Sequence, residues 1–374
     1  MAVVAAAAAV GVRCSSPPLL PRKFKSSETS PFPYRNRIHA SLFWGPAKRN
    51  SNNISSSSSH QQKFTFTLSS EKVITVSFVS SISDIPSTEW DACALDATGH
   101  DKFNPFLSHA FLSTLELSAS AVKEKGWTPH HIVAKDEETN HILAVVPLYL
   151  KTHSYGEFVF DHSWANAYYN YGSAYYPKLQ SCVPFTPVTG PRILLRDTSI
   201  KNHVFDFILS AMKDLTAKSQ LSSLHVTFPS ENEWHKFTQK GFLPRIGMQY
   251  HWNNRNYKSF DDFLMDMKHN KRKKIRQERK KVAAQNLIMK RLRGYEIKAI
   301  EAAIELNLKT VEAGAQGEHK IERGYLPVTT YSCHYLIDEE FRKAIEDFLV
   351  RESSQVKLVI KLLRDSGPFK EGVL

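Results

Sequence analysis

Between Val73 and about Arg255, short β-type runs alternate with amphipathic helical stretches. The predicted strands are Val73–Ile82, His131–Lys135, His141–Lys151, Arg192–Arg196 and Ser223–Phe228, with another beginning at Phe242. The predicted helices are Ser108–Val122, Val204–Leu215 and Glu233–Gln239. A polar turn joins the second and third strands, which predicts a hairpin. Alternation of this kind predicts a mixed α/β fold in which helices cover a sheet.

The chain after Arg255 carries a smaller set of elements. We predict one long helix at Phe260–Ala284 and a final helix at Glu339–Leu363, on the spacing of their apolar residues. Between them the predicted elements are a strand at Leu287–Leu292, a helix at Ile300–Leu308, and strands at Thr310–Ala315 and Val328–Ile337. Three strands are fewer than the usual five or six of a sheet. The part after Leu287 is therefore predicted to be incomplete by itself.

The net charge of +12 is concentrated in two segments. The first 62 residues hold eight basic residues, one acid (Glu28) and a dozen serines after an alanine-rich opening. This composition predicts a disordered transit peptide over residues 1–62, of the chloroplast type, and hence a stromal protein. A secretory signal and a plain disordered tail are the alternatives. The second basic segment, Lys268–Arg293, has twelve basic residues against Glu278.

Several classes of protein lack support in the sequence. The four cysteines lie far apart without a C-x-x-C, which argues against a disulfide framework and a clustered zinc site. The histidines show no ligand spacing, so we expect no metal. No apolar run approaches the length that spans a bilayer. Dinucleotide, P-loop, zincin and α/β-hydrolase signatures are absent as well.

The segment His153–Trp164 and the tyrosines that follow it combine acids, histidines and aromatic rings. Glu157, Asp161 and His162 are candidate proton-handling groups of a pocket with an aromatic floor. The alternative is a strand pair and loop with aromatic packing and exposed acids.

A second segment, Gly314–Tyr325, follows a predicted strand. Small residues let a backbone approach a ligand, and exposed N–H groups there can bind phosphate oxygens. The candidate cofactor contacts are Gln316, Gly317, Lys320, Arg323 and Gly324, and the candidate proton carriers are His319 and Glu312. The alternative is a glycine-punctuated turn with solvated charges.

The third segment is the basic run Lys271–Lys281. Its near one-sided sign is unfavourable within a helix, because like charges three or four residues apart repel. An anionic partner would relieve that repulsion: an RNA backbone, membrane headgroups or the phosphates of a large cofactor. The candidate contacts are Lys271, Arg272, Lys273, Lys274, Arg276 and Arg279. The alternative is a solvated helix face.

Several stretches together resemble a known family. They are Pro105–Phe111, His153–Asp161, Tyr175–Leu179, Val183–Arg192, Gln249–Trp252, Lys271–Arg279 and Glu312–Lys320. They resemble the FemAB-like family of GNAT-superfamily acyl-CoA N-acyltransferases, which is often labelled peptidoglycan-biosynthesis-like. The resemblance spans roughly Trp90 to Phe369.

The resemblance implies two GNAT-like modules in tandem, over residues 71–258 and 287–374, joined by a basic connecting helix at 259–286. It implies acyl-CoA, such as acetyl-CoA, as donor, held by backbone amides in a glycine-containing turn. Fem-type relatives instead take an aminoacyl group from charged tRNA and pass it to a peptidoglycan precursor.

One departure from the family matters. In the family, a helical region, a W-G stretch and several strands separate the counterparts of Tyr295–Lys298 and Ile300–Leu308, whereas here Ala299 alone lies between these segments. This predicts an internal deletion, as in a splice variant or an imperfect gene model. The deletion would truncate the second module, remove the acyl-donor groove and leave the chain inactive.

The expected function is therefore a plastid acyl- or aminoacyltransferase that joins an activated acyl group to the amine of a small molecule or peptide. The rival hypothesis is a non-catalytic protein that binds RNA or a membrane surface through its basic helix.

Overall fold

The structure is a computed structural model that describes residues 2–4, 63–69, 72–284, 299–315 and 317–372. Most of the predicted transit peptide, the predicted strand Leu287–Leu292 and the junction before Ala299 lie outside the described residues. Helices cover two β-sheets, which confirms the predicted mixed α/β class.

The strands and helices are numbered in chain order. The strands are β1 (Ala2–Val4), β2 (Lys63–Ser69), β3 (Lys72–Val79), β4 (Trp127–Pro129), β5 (His131–Asp136), β6 (Ile142–Val146), β7 (Leu148–Lys151), β8 (Lys178–Ser181), β9 (Leu194–Leu195), β10 (Ser223–Thr227), β11 (Leu243–Asn253), β12 (Thr310–Glu312) and β13 (Leu326–Leu336). The α-helices are α1 (Ser87–Thr98), α2 (His109–Leu117), α3 (His162–Asn170), α4 (Lys201–Lys218), α5 (Glu231–Gln239), α6 (Phe260–Asp266), α7 (His269–Ala283), α8 (Ala299–Glu305) and α9 (Glu339–Asp365).

The larger sheet combines strands from distant parts of the chain, in the order β1-β12-β11-β13-β10-β8-β7-β4. Strand β13 lies between β11 and β10 and is antiparallel to both. Its pairing with β11 runs from Leu243 opposite His334 to His251 opposite Leu326. Strands from both sides of the predicted connecting helix therefore share one sheet.

The smaller sheet is antiparallel, in the order β2-β3-β5-β6-β9. The run His141–Lys151, predicted as one strand, divides at Pro147 between the two sheets. Proline has no N–H to donate to a ladder, and here it marks the point where the chain leaves one sheet for the other. The prediction of a single strand was wrong for this physical reason.

The main core lies where helix α4 packs against both sheets. Ile208 and Met212 of α4 belong to the same buried cluster as Ile132 of the smaller sheet and Leu224 and Val226 of the larger sheet. Strand side chains alternate between faces, so the opposite face of β10 is free to carry polar groups.

The stretch Phe260–Ala284 forms two helices instead of the predicted single connecting helix. The backbone at Met267 is extended, and Met267 forms a β-bridge with Phe369. The N–H of Lys268 donates to the carbonyl of Pro368 at 2.8 Å. Contacts with the end of the chain thus replace the hydrogen bonds that would have continued the helix. These partners lie about a hundred residues away, so the local periodicity could not reveal them.

Candidate active site

One face of the larger sheet is lined with buried polar side chains. On neighbouring strands, Gln180, His225 and His334 lie in one row, because Gln180 pairs with His225 and His225 pairs with His334. All three side chains are buried. Burying so many polar groups is unfavourable unless they form hydrogen bonds with one another. The hydrogen bonds on this face therefore show which of its groups are paired and which are free to bind a substrate.

Lys178 is the centre of the first cluster on this face. Its ammonium group donates to Glu157 Oε2 at 2.7 Å, Asp161 Oδ2 at 2.5 Å and Ser154 Oγ at 2.8 Å. A second buried ammonium, that of Lys151, lies 3.8 Å from Glu157 Oε1. Two carboxylates therefore face two lysines in a site with almost no exposure to solvent.

Burial and charge act differently on the two acids of this cluster. Burial raises the pKa of Glu157 to about 7 although Lys178 opposes the rise. Burial also disfavours the charged form of Asp161, but Lys178 outweighs it and holds the pKa well below its usual range. Burial lowers the pKa of Lys151 to about 8. Glu157 and Lys151 are thus the two groups of the cluster able to change charge near neutral pH.

A line of hydrogen bonds runs from this cluster across the sheet. The Tyr175 hydroxyl donates to Asp161 Oδ2 at 2.7 Å and lies 3.2 Å from His225 Nε2. His225 Nδ1 is 2.7 Å from His334 Nδ1, and His334 Nε2 is 2.9 Å from the hydroxyl of Ser332. The line joins strands β8, β10 and β13.

A second cluster lies at the β11–β12 end of the same face. Glu312 and His251 face each other as cross-strand partners. The Nε2 atom of His251 is 3.0 Å from Gln249 Oε1, and Gln249 Nε2 donates to the carbonyl of Pro187 at 2.7 Å. Because an amide oxygen only accepts, the proton of neutral His251 lies on Nε2 and its Nδ1 is left as an acceptor.

Glu312 is the exceptional acid of this cluster. Its side chain is nearly buried, and Oε2 has no hydrogen-bond partner in the structure. Burial raises its pKa to about 7, and only the buried cation Arg192 opposes the rise. Burial also lowers the pKa of His251 to about 4, so this imidazole is neutral at pH 7. A carboxyl group that titrates near 7 is suited to exchange protons with a bound substrate.

The structure brings together part of the predicted catalytic set. Glu157 and Asp161 share Lys178, as described above. His162 is exposed and packs beside Tyr155 and Phe160. His319 is exposed and follows β12, which is four strand positions from β8, about 19 Å across the sheet. Glu157, Asp161, His162 and His319 therefore do not form one site.

The predicted cofactor contacts lie in the 3-10 helix Glu318–Arg323 and the glycines that flank it. Gln316 lies outside the described residues. The ammonium of Lys320 donates to the carbonyl of Ala313, and Arg323 is 3.8 Å from Glu278. Gly317 and Gly324 both have positive φ angles. This segment adjoins the Glu312 cluster. Its role in donor binding stays a prediction, and that prediction concerns the β11–β12 end of the sheet.

The sequence analysis did not identify several residues of the two clusters. Lys178 carries the first cluster, yet it is remote in sequence from Glu157 and looks like an ordinary strand lysine. His251 and Gln249 were not proposed as site residues. A signal for them existed, because Pro187, the Gln249–His251 strand and Glu312 belong to three of the segments that carry the family resemblance. The structure brings those segments into contact.

In the described ranges, no group of three or more His, Cys, Asp or Glu side chains could hold a metal ion. The same ranges contain no helix with the length and apolar character needed to cross a membrane.

Of the comparisons with known proteins, the family model is the informative one. The FemAB-like family model, described as peptidoglycan biosynthesis/recognition, matches residues 81–299 and 295–371. No curated protein matches the chain. Among solved structures, the ribosomal-protein-S5-alanine acetyltransferase from Vibrio fischeri is similar at a TM-score of 0.30 and 10% identity, over 50% of this chain and 87% of that chain. The family match covers most of the chain, and the protein belongs to the FemAB-like family.

Proposed function

We propose that this protein is an acyltransferase that forms an amide between an activated acyl group and an amine. The donor is acyl-CoA or aminoacyl-tRNA, and the acceptor is the amine of a small molecule or peptide. Membership of the FemAB-like family supports acyl or aminoacyl transfer as the reaction class.

The single observation that carries the proposal is Glu312. An amine is protonated at neutral pH and must lose a proton before or during attack on a carbonyl carbon. A buried carboxylate with one free oxygen and a pKa near 7 can take that proton and still be largely ionised at pH 7.5 to 8. Glu157 also has a pKa near 7, but its Oε2 accepts a hydrogen bond from Lys178 and its Oε1 lies 3.8 Å from the Lys151 ammonium.

The proposed reaction proceeds by direct attack. The amine nitrogen forms a bond to the acyl carbon, and the bond from that carbon to the CoA sulfur or the tRNA oxygen breaks. Glu312 takes the proton lost by the amine, and the leaving thiolate or alkoxide takes up a proton in turn. His251 Nδ1 is a second hydrogen-bond acceptor beside Glu312. A hydrogen bond to this nitrogen would orient the N–H of the attacking amine towards Glu312.

We further propose that the chain lacks part of its donor site. The family match is in two pieces that meet at residues 295–299, which supports the internal deletion inferred at this position. The segment Gly317–Gly324 would then provide only part of the donor contacts, and this chain would bind donor more weakly than a form that carries the missing segment. The leader composition supports residence in the plastid stroma as the accompanying proposal on location.

The test is a transfer assay on the purified chain with acyl-CoA and with aminoacyl-tRNA, scored by the mass of the amide product. Glu312→Gln is expected to lower transfer at least a hundredfold, in the range typical of a lost general base. Glu346→Gln is the matched control, because this glutamate is exposed on α9. Equal activity of the two variants would contradict the role of Glu312.

Donor binding gives a second, independent readout. A ligand that binds only the folded state at a hundredfold excess over its Kd stabilises it by about 2.7 kcal/mol. If neither donor raises the melting temperature and no amide forms, the proposed enzyme activity of this chain is wrong. Activity that appears only after the missing segment is restored would support both the reaction and the deletion.

A further inference from the structure

Helix α7 presents two groups of cations that differ in their partners. On one side, Lys271 and Lys274 both donate to Glu322, at 2.8 and 2.7 Å. Arg279 donates to Glu301 at 3.1 and 3.2 Å. Acids of neighbouring segments therefore contact these three of the six cations predicted from the sequence to bind a polyanion, and the single charge of Glu322 is shared by two of them.

The other side of α7 carries a cationic stripe, defined as His269, Arg272, Lys273, Arg276 and Lys280. At 100° per residue these positions fall within about 100° of the helix circumference. With Gln277 they line a surface groove of about 300 Å³. Among the described residues, Lys273 and Lys280 have no acidic partner, and the guanidinium of Arg272 donates to the sulfur of Met265. Arg276 reaches Asp261 in an exposed contact at 3.0 Å.

This stripe keeps like charges close together. Positions three and four residues apart on a helix are neighbours, and like charges there destabilise it. Among the described residues, Asp261 reaches Arg276, but no acid pairs with Lys273 or Lys280 to relieve their repulsion with neighbouring cations. From His269 to Lys280 the stripe is about 17 Å long, which matches about five phosphates along one strand of a duplex.

The chemistry of the stripe favours a polynucleotide over a membrane. A helix that lies on a lipid surface turns an apolar face towards the acyl chains. On α7 the apolar Ile275 packs instead against the buried cluster that contains Tyr250 and Phe263. The stripe itself contains no apolar residue and no Phe, Tyr or Trp ring on which a base could stack.

We propose that the cationic stripe is a docking surface for the phosphate backbone of a nucleic-acid strand, bound without preference for base sequence. The proposal does not rest on acyl transfer, and the bound strand need not be the acyl donor. It assigns binding to Arg272, Lys273, Arg276 and Lys280. Arg276 belongs to this set although it reaches Asp261, because that contact is exposed and a phosphate can replace it. Lys271, Lys274 and Arg279 lie outside the stripe and contact Glu322 or Glu301 instead.

The test compares two double variants on the same helix with the same change in charge. Lys273→Gln/Lys280→Gln removes stripe cations, and Lys271→Gln/Lys274→Gln removes cations paired with Glu322. Binding to an unaminoacylated 20-nucleotide RNA and to DNA of the same sequence is measured by fluorescence anisotropy over a salt series. The helix content and melting temperature of each variant show whether it folds. If Lys273→Gln/Lys280→Gln does not fold, the single variant Lys280→Gln takes its place.

Four stripe cations predict a slope of log K against log salt of about −3 for a single strand, reduced by about 1.4 in the stripe variant. We expect the control variant to keep a slope close to that of the unmodified chain. Equal losses in both double variants, or no salt-dependent binding, would overturn the proposal. Stripe-dependent binding to anionic lipid vesicles with none to RNA or DNA would assign the surface to a membrane instead.

Discussion

The Nδ1 atoms of His225 and His334 lie 2.7 Å apart on the paired strands β10 and β13. Tyr175 gives its only proton to Asp161, so its oxygen can only accept from His225 Nε2. A proton on His225 Nε2 serves both the Tyr175 oxygen and the Ser223 hydroxyl, which lies 2.8 Å from that nitrogen, and it leaves Nδ1 to accept from His334, whose Nε2 accepts from Ser332. Each donor in this line points towards Asp161. The hydrogen bonds therefore connect the Lys178 cluster on β8 to β10 and β13, which come later in the chain.

This link predicts a loss of stability in acid. Burial lowers the pKa of His225 to about 3 and that of His334 well below its usual value, so both stay neutral in the folded protein. Below pH 6.5 the unfolded chain binds protons that the folded chain does not, and stability falls as the pH falls. His334→Gln removes one such group. We expect the drop in unfolding free energy from pH 7 to pH 5 to be smaller by about 2 kcal/mol in this variant.

The measurement is urea unfolding at pH 7 and pH 5 for the unmodified chain and for His334→Gln. His319→Gln is the control, because that imidazole is exposed. An equal pH dependence in the unmodified chain and His334→Gln would show that His334 takes up protons in the folded protein as readily as in the unfolded chain.

The Lys178 cluster predicts non-additive effects of mutation. Lys178→Met leaves Glu157 and Asp161 buried without their shared cation, and removing one partner of a buried ion pair costs about 3–5 kcal/mol. Adding Asp161→Asn removes one of the two stranded charges, so we expect the double variant to be more stable than Lys178→Met. Urea unfolding at pH 7 measures both. A double variant less stable than either single variant would mean that the cluster is not governed by charge balance.

Local patterns predicted most individual elements, because apolar periodicity reports which side of a helix or strand meets the core. The same patterns could not place β13 between β10 and β11, since strand order depends on pairings between residues about a hundred positions apart. The break at Met267 was hidden for the same reason, because it depends on contact with Phe369.

The candidate site shows the same limit. Glu157, Asp161 and Glu312 were recognisable as acids in unusual segments, but nothing local showed that burial would raise the pKa of Glu157 and Glu312 and that Lys178 would lower that of Asp161. Partners such as Lys178 and His251 belong to other strands, and only the register of the sheet brings them close.

Gly324 offers a test of close packing between the backbone and the core. Its φ is +94°, and an added Cβ would lie 2.6 Å from Phe263 Cζ. Gly314 has a φ of +71° with nothing near its missing Cβ. Gly314→Ala should therefore cost about 1–2 kcal/mol from backbone strain alone, and Gly324→Ala about 1–3 kcal/mol more from the clash. Urea unfolding compares the two variants, and equal costs would leave the glycine at position 324 without a packing reason.

The rate of acyl transfer should depend on the protonation of Glu312. A base acts only when ionised, so kcat/KM is expected to rise with pH and to bend at an apparent pKa of about 7, the value to which burial raises Glu312. Glu312→Gln should lose this bend and keep only the rise from deprotonation of the acceptor amine, which lies at higher pH. Glu157→Gln is the informative comparison, because Glu157 has a similar pKa but sits among lysines. If Glu157→Gln abolishes the bend and Glu312→Gln preserves it, the base belongs to the Lys178 cluster and the acceptor amine binds at the β7–β8 end of the sheet.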